Sequence, residues 1–515
     1  MIVPAFLLAL AALVGTLLVI RLLNPLPPLE PRPNSQAATG TVDTALGRSI
    51  APLTDAKPDL SGVYMLSNGE EAYGARALLA RTAERSLDVQ YYIWRADLTG
   101  ILLLRELRAA ADRGVRVRLL LDDNGTAGLD AMLAALDAHP QVEVRLFNPF
   151  VVRSPKWLGY LTDFKRLNRR MHNKSFTADG QASIVGGRNI GDEYFGAQTG
   201  GLFYDLDVLA VGAVVGAVGD DFDRYWSSGS AYPASHILPE ASQTEITVME
   251  ARADAAAKEP DARAYVDAVE TSGFARDLMA GRTGFIWSRV RLLSDDPAKG
   301  LGTVPDNAQL TGKLTAAMGE AKREIGIVSG YFVPTKAGMD AFAALAQADV
   351  EISVLTNSYA ATDVPYVHAG YAPRRKRLLA AGVHLYELRP SYGPGAGRAR
   401  GGSGSVARSS GSTLHAKTFT VDRERLFVGS FNFDPRSFAL NTEMGVVIES
   451  PLLAGAVQKA FAKEILDESW HLSLTDEGSI LWTAGAESCG SEPGTTWLSR
   501  AMVAVIGWLP VEWLL

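Results

Sequence analysis

The sequence predicts an α/β protein built from two homologous halves, each with a mixed sheet, and one active site between the halves. Stretches with helical periodicity alternate with short, almost continuously apolar strands, which is typical of a sheet covered on both faces. The same order of elements occurs twice, with a His-x-Lys-x4-Asp motif at the same place in each copy. The repeated unit spans roughly 170–180 residues, the size of a domain rather than of a solenoid repeat.

Composition and periodicity divide the 515 residues into six predicted segments. They are a membrane segment (1–24), a linker (25–59), a first half (60–228), a helical connector (229–288), a second half (289–470) and an apolar tail (471–515). The chain is 47% hydrophobic, which is enough for more than one buried core.

The N-terminus predicts a membrane anchor. Residues 2–20 carry no charge, and the run is about as long as a helix that crosses a bilayer. The alternative is a buried core helix, which rarely lies at a terminus before a proline-rich spacer. No Lys or Arg precedes the run and no clear cleavage site follows it, so a retained anchor is favoured over a removed signal peptide. Positive charge is sparse on both sides, which leaves the orientation open.

Charge and cysteine content exclude other classes. The net charge is −7, whereas a nucleic-acid-binding domain is usually basic, so no nucleic acid is expected as a partner. Cys489 is the only cysteine, so no intramolecular disulfide can form, and a structural zinc site is not expected.

The two motif copies predict the chemistry. Their residues are His172, Lys174 and Asp179 in the first copy and His415, Lys417 and Asp422 in the second. Two imidazoles can divide one reaction, with one attacking phosphorus while the other protonates the leaving alcohol. Each lysine follows its histidine by two residues on a strand, hence on the same face, where it can stabilise phosphoryl oxygens. Each aspartate lies beyond that strand, and a structural role in the turn is favoured over contact with substrate.

Four further polar residues are predicted to complete the site. Asn189 and Asn432 lie in the small-residue turns after the motifs and can donate hydrogen bonds to phosphoryl oxygens. Asp205 and Glu443 begin the next strand of each half. Each imidazole needs a carboxylate that fixes its tautomer, and these two are the candidates.

Three peripheral features have two interpretations each. The basic cluster Lys165, Arg166, Arg169 and Arg170 fits either headgroup binding or a solvated helix face. The Gly-, Ser- and Arg-rich stretch 390–413 is either a flap over the site or a plain insertion. The stretch 497–515, rich in Trp and aliphatic residues, favours the membrane interface over packing on the body.

The doubled motif, with Gly-Gly-x-Asn at 186–189 and Gly-Ser-x-Asn at 429–432, resembles the phospholipase D superfamily over about residues 59–469. Stretches 186–195, 429–437 and 441–443 are similar to its bacterial cardiolipin synthase branch, and the two apolar ends to the C-type of that branch. The resemblance implies an enzyme without metal or cofactor. It also implies a covalent phosphatidyl-histidine at His172, with His415 as acid and base.

The expected function is a membrane-anchored phosphatidyltransferase of the bacterial inner membrane that forms cardiolipin. Its expected substrates are phosphatidylglycerol and, as an alternative donor, phosphatidylethanolamine. Two alternatives stay open. A hydrolase, phosphodiesterase or nuclease on the same fold would give no transferred lipid product. A non-enzymatic lipid-binding scaffold would not depend on His172. The sequence leaves the need for an accessory protein undecided.

Overall fold

The computed structural model describes residues 2–196, 203–260, 262–263, 265, 284–305, 309–390, 413–461 and 468–508. The helices in these ranges are α1 Ile2–Leu23, α2 Ala45–Thr54, α3 Gly69–Thr82, α4 Leu98–Asp112, α5 Asp130–Asp137, α6 Trp157–Leu167, α7 Asp192–Phe195, α8 Ala213–Trp226, α9 Gln243–Ala256, α10 Leu310–Met318, α11 Lys336–Gln347, α12 Pro365–Tyr371, α13 Arg375–Ala380, α14 Pro435–Ala439, α15 Pro451–Ala460 and α16 Trp497–Trp508.

The strands follow the same repeating order. They are β1 Ser61–Leu66, β2 Ser86–Ile93, β3 Arg116–Gly125, β4 Val142–Phe147, β5 Ser175–Ala178, β6 Ala182–Gly186, β7 Phe203–Tyr204, β8 Asp207–Gly212, β9 Ala231–Pro233, β10 Ile286–Ser294, β11 Glu324–Ser329, β12 Glu351–Asn357, β13 His384–Leu388, β14 Thr413–Leu414, β15 Lys417–Val421, β16 Arg425–Gly429, β17 Met444–Glu449, β18 Ser469–Leu474, β19 Ile480–Ala484 and β20 Glu487–Cys489.

Strand pairing shows that the two halves are related by an approximate two-fold. In space the first half runs β9-β4-β3-β2-β5-β6-β8-β1. The second half runs β10-β17-β16-β15-β11-β12-β13-β18 in mirrored order. β1 and β10 pair antiparallel at the centre, so one mixed sheet passes through both halves. The predicted fold class, two homologous mixed-sheet α/β halves, is confirmed.

A shared core holds the halves together. Val63 and Val208 of the first half lie in one buried cluster with Val428 and Val446 of the second. Each half also has its own core between its sheet and its outer helices. Since β5 and β15 begin at the seam between the halves, both histidine motifs start there.

Most predicted elements are found with small shifts at their ends. The helix predicted from Leu98 to Arg113 ends at Asp112, and the strand from Val142 to Phe147 has the predicted bounds. The apolar residues that give these segments their periodicity are buried in the core of the first half. Periodicity and burial therefore favour the same secondary structure.

α1 has the length and composition of a membrane span. Residues Val3–Leu23 have a mean hydropathy of 2.6, and none of them is buried against the rest of the protein. In water such a surface would be unfavourable, so α1 fits the predicted anchor.

The predicted linker, 25–59, is wrong as an unstructured spacer. It contains α2, which begins at the N-cap Thr44 and buries Leu46 and Ile50. Upstream of α2, the Ser35 carbonyl accepts a hydrogen bond from the buried Arg118 side chain, and the Pro33 carbonyl accepts one from Arg145. Buried arginines on the sheet need acceptors, and this segment supplies them.

Two other predicted boundaries also change. Within the connector, 229–288, the described part is helical in α9 but begins with β9 and ends in β10, which starts at Ile286. The boundary between the second half and the tail, at 470/471, falls inside β18, which pairs with β13, and β19 and β20 extend the second sheet beyond it. The predicted flap, 390–413, lies almost entirely outside the described residues, as do 266–283 and 509–515.

Candidate active site

The seam between the halves brings the two histidines together. The His172 backbone N–H donates to the Thr442 carbonyl at 2.9 Å, and the His415 N–H donates to the Tyr204 carbonyl at 2.8 Å. Each motif strand therefore starts from a hydrogen bond to the opposite half. Both histidines are buried, with 5% of each residue exposed.

Each imidazole bonds to a carboxylate from the opposite half. His172 Nδ1 lies 2.8 Å from Glu443 Oε2, and His415 Nδ1 lies 2.5 Å from Asp205 Oδ2. A carboxylate at Nδ1 selects the tautomer with its proton there, which leaves Nε2 of each ring to react. The two pairs cross the seam, so neither half contains a complete site.

The two carboxylates have different surroundings. Glu443 accepts hydrogen bonds from the hydroxyls of Ser430 and Ser437. Position 430 corresponds to Gly187 in the first half, where a Cβ atom would lie 2.1 Å from Asp205 Oδ1. Glycine is thus required beside Asp205, whereas serine supports Glu443.

These surroundings give the carboxylates different pKa values. Burial alone would raise the pKa of Asp205, but His415 and Lys417 hold it at about 2. Burial raises the pKa of Glu443 to about 7, with Lys174 and the serine hydroxyls opposing the rise. Asp205 is therefore ionised at neutral pH, whereas Glu443 is close to its midpoint.

Both imidazoles are neutral before substrate binds. Burial and the neighbouring lysines lower the pKa of His415 to about 4. Burial, Lys174 and Lys417 hold the pKa of His172 well below its usual value. A neutral imidazole with a free Nε2 is competent as a nucleophile or a base.

The lysines are buried beside the histidines. Lys174 Nζ donates to the His172 carbonyl at 2.6 Å, and Lys417 Nζ donates to the His415 carbonyl. Burial lowers the pKa of Lys417 to about 8 and that of Lys174 well below its usual value. An anion between them would favour the charged form of both lysines, so the pair could stabilise a phosphate group.

Aromatic side chains that were not predicted from the sequence surround the histidines and lysines. The Tyr92 ring lies edge to face with the His172 ring, with 4.9 Å between the ring centroids. The Phe203 ring stacks on the His415 ring, with 5.5 Å between the centroids. Tyr331 lies over Lys417, as Tyr92 lies over Lys174, and its hydroxyl donates to Asp363. Tyr92 lies near the end of β2, and Tyr331 lies two residues beyond the end of the corresponding strand β11. An aromatic residue near the end of this strand in both halves is the signal that could have identified them.

The two asparagines differ in their contacts. Asn189 Nδ2 donates to the Tyr194 hydroxyl at 3.0 Å, and its Oδ1 accepts from the Ile93 N–H, so its amide is used within the protein. Asn432 is 3% exposed, and its Oδ1 has no hydrogen-bond partner among the described residues. The Asn189 amide is thus bonded within the protein through both its oxygen and its nitrogen, whereas the Asn432 oxygen is not.

Asp179 and Asp422 lie at the far ends of the motif strands. Asp179 accepts hydrogen bonds from three successive backbone N–H groups, those of residues 84–86, and Asp422 does the same for residues 322–324. Both have positive φ, +52° and +54°. Each carboxylate therefore fixes the entry to the neighbouring strand, β2 or β11, away from the histidines.

The basic cluster is not one solvated face. Arg170 is buried and pairs with Asp122 at 3.2 Å, Arg166 pairs with Asp163, and Arg169 donates to the Ala439 carbonyl. Lys165 is exposed. Within the described part of the chain, no group of three His, Cys, Asp or Glu side chains could hold a metal ion.

Comparison with known proteins gives a consistent result. The family profile described as "Cardiolipin synthase, PLD-like domain" matches residues 78–226 and 314–465. The chain is 49% identical to cardiolipin synthase C of Escherichia coli K12 over 476 residues, 91% of this chain and 99% of the relative. It is 27% identical to a cardiolipin synthase of Staphylococcus aureus Mu50 over 400 residues, 78% of this chain and 66% of the relative.

A solved structure shares the fold. The phosphatidylserine synthase of Haemophilus influenzae Rd KW20 superposes with a TM-score of 0.54 at 15% identity, covering 83% of this chain and 92% of the other. Both halves of the chain match the family profile, and one relative is nearly half identical over almost its whole length. The chain belongs to the phospholipase D-like cardiolipin synthase family.

Proposed function

We propose that this protein is a membrane-anchored phosphatidyltransferase that forms cardiolipin in the bacterial inner membrane. It transfers the phosphatidyl group of one phospholipid to a hydroxyl of phosphatidylglycerol. The observation that carries the proposal is the crossed pair of imidazole–carboxylate contacts, His172 with Glu443 and His415 with Asp205, each beside a buried lysine. The identity to cardiolipin synthase C supports the same substrate class.

In the first half-reaction, His172 Nε2 attacks the phosphorus of the donor lipid. The bound phosphate anion first raises the pKa of His415, whose Nε2 takes up a proton from solvent. A P–N bond then forms while the P–O bond to the headgroup alcohol breaks, and the protonated His415 gives its Nε2 proton to the leaving oxygen. The leaving alcohol is glycerol from phosphatidylglycerol, or ethanolamine from phosphatidylethanolamine. Lys174 and Lys417 stabilise the charge on the non-bridging oxygens, with Asn432 as a neutral donor.

In the second half-reaction, the acceptor hydroxyl of phosphatidylglycerol loses its proton to His415 Nε2. Its oxygen forms the new P–O bond while the P–N bond to His172 breaks. The product is cardiolipin, and His172 returns to its neutral form while His415 regains its proton.

The unequal carboxylates support this division of roles. The acid must carry a positive charge, and the ionised Asp205 behind His415 stabilises an imidazolium. Glu443, with its pKa near 7, stabilises positive charge on His172 less well. The neutral nucleophile is therefore best placed at His172 and the proton carrier at His415.

The test is the lipid content of cells that lack their own cardiolipin synthases and express this chain or its His172→Ala variant. The proposal predicts cardiolipin with the unaltered chain and none with the variant at equal protein level. Phosphatidic acid instead of cardiolipin would make the protein a hydrolase. An unchanged cardiolipin level with His172→Ala would contradict the histidine mechanism. No lipid change with the unaltered chain would contradict the proposal and favour the nuclease or the lipid-binding scaffold.

A further inference from the structure

Exposed apolar side chains concentrate on three short helices. Outside α1, thirteen large apolar side chains of the described residues are exposed, and eight of these lie on α6, α12 and α16. They are Trp157, Leu161 and Phe164 on α6, Tyr366 on α12, and Trp497, Leu498, Met502 and Val505 on α16. Scattered exposed apolar residues are ordinary, but clusters of them mark interaction or membrane surfaces.

The α6 residues form one stripe. Trp157 and Leu161 have the i, i+4 spacing of one helix face and are 59% and 53% exposed. The helix kinks at Asp163, and Phe164, directly after the kink, is 40% exposed. Gly159 and Leu167 of the same helix are buried against the protein. Lys165 is exposed beside the stripe. α6 thus has an apolar face that no described residue covers.

In the other half, α16 also has one exposed apolar face and one buried face. At 100° per residue, its four exposed apolar side chains fall within an arc of about 140°. Val503 is buried on the opposite side, where the helix packs on α12. Arg500 is exposed. The tail is therefore fastened to the body by one face and presents an apolar face outward.

α6 and α12 are each connected through side chains to one of the two histidines. On α6, the Tyr160 hydroxyl donates to Asn124 Oδ1 at 2.9 Å, and Asn124 contacts the Tyr92 hydroxyl above His172. In the second half, Asp363, two residues before α12, accepts from the hydroxyl of Tyr331, which lies 6.3 Å from the His415 ring. α6, and α12 on which α16 packs, are therefore each linked by side chains to the surroundings of one histidine.

α1 places α6 at the surface of the bilayer. The apolar span of α1 closes with Arg21, whose side chain donates to the Thr162 carbonyl on α6 at 2.7 Å. The 22 residues of α1 give a helix about 33 Å long, the thickness of the hydrocarbon core. Because α1 contacts α6 at its charged end, α6 lies at the level where the membrane span ends.

We propose that α6 and α16 lie in the headgroup region of one leaflet, on either side of the opening of the active site. This inference rests on the proposed function, because it concerns how that site obtains its lipids. Aromatic and aliphatic side chains enter the interface while Lys165 and Arg500 face anionic headgroups. Both substrates then reach the histidines with their acyl chains still in the bilayer, which avoids the free-energy cost of withdrawing them.

The single cysteine permits a direct test on the full chain. In a Cys489→Ser background, Leu161→Cys and Met502→Cys are labelled with an environment-sensitive fluorophore in nanodiscs that contain phosphatidylglycerol. Val248→Cys on α9 and Leu452→Cys on α15 are matched controls, since they are 61% and 66% exposed on helices that pack on α4 and α5 and on β15 and β16.

The proposal predicts that labels at 161 and 502 are quenched severalfold more by lipid with a shallow spin label than by aqueous iodide. The control positions show the reverse. Equal iodide quenching at all four positions would overturn the proposal. The measurement needs no turnover, so its result is separate from the success or failure of the proposed reaction.

A second measurement concerns delivery of lipid. The double variant Leu161→Glu/Met502→Glu is expected to lower cardiolipin formation on vesicles at least tenfold. Its cleavage of a short-chain, water-soluble phospholipid should stay within twofold of the unaltered protein. Val248→Glu/Leu452→Glu should change neither. A vesicle reaction that falls no more than the soluble reaction would overturn the proposal.

Discussion

At the scale of single residues, the site differs from a symmetric pair of identical halves. The first half uses a short carboxylate, Asp205, which fits only because Gly187 has no side chain. The second half uses a longer carboxylate, Glu443, held by Ser430 and Ser437. The consequence is one ionised and one nearly half-protonated partner for two chemically similar imidazoles.

This asymmetry predicts unequal effects of two isosteric changes. Asp205→Asn removes an ionised partner of His415 and should lower kcat roughly 10³- to 10⁴-fold, as expected when a triad carboxylate is lost. Glu443→Gln resembles the protonated form of Glu443, so its loss should be smaller. That loss should also grow as pH rises through 7, where the natural side chain ionises.

Rates of both variants between pH 6 and pH 8.5 check this prediction, with folding followed by circular dichroism. Equal losses for the two variants, without dependence on pH, would contradict the assigned difference between the carboxylates.

At the scale of elements, the two motif aspartates act as clamps on strands. Asp179 and Asp422 each gather three backbone N–H groups before β2 or β11, at the end of the sheet opposite the histidines. Their position beyond the motif strands predicts a structural role. It does not predict the partners, because these lie about a hundred residues earlier in the chain.

We expect Asp179→Asn and Asp422→Asn to lower stability by roughly 1–3 kcal/mol each, since buried N–H groups lose a charged acceptor. Asparagine tolerates the positive φ of both sites, so the change tests the charge rather than the backbone. Chemical denaturation measures the effect. Kcat at a temperature where the variants remain folded should stay within about threefold, and a loss as large as that of His172→Ala would instead place these carboxylates in the chemistry.

At the scale of the whole molecule, the chain illustrates what a sequence can and cannot predict. Strong periodicity predicts the elements of the two halves, and the doubled motif predicts that His172 and His415 lie in one site. The crossing of Asp205 to His415 depends on the antiparallel pairing of β1 with β10, which no local pattern encodes. The linker was misjudged for a related reason, because its polar segment satisfies buried arginines on a distant sheet.

The whole-molecule arrangement also makes the active site a property of the complete chain. Each histidine depends on the opposite half for a backbone hydrogen bond and for a carboxylate. We therefore expect one covalent intermediate per chain rather than two, because one imidazole must remain free to move the proton.

The most direct measurement is acid-free denaturation of the protein during turnover of phospholipid labelled with ³²P, followed by digestion and mass spectrometry. The account predicts phosphorus bound through an acid-labile bond to the peptide that contains His172, at no more than one label per chain, and no label in His172→Ala. Label on the His415 peptide in the unaltered protein, or labelling of both peptides, would contradict it.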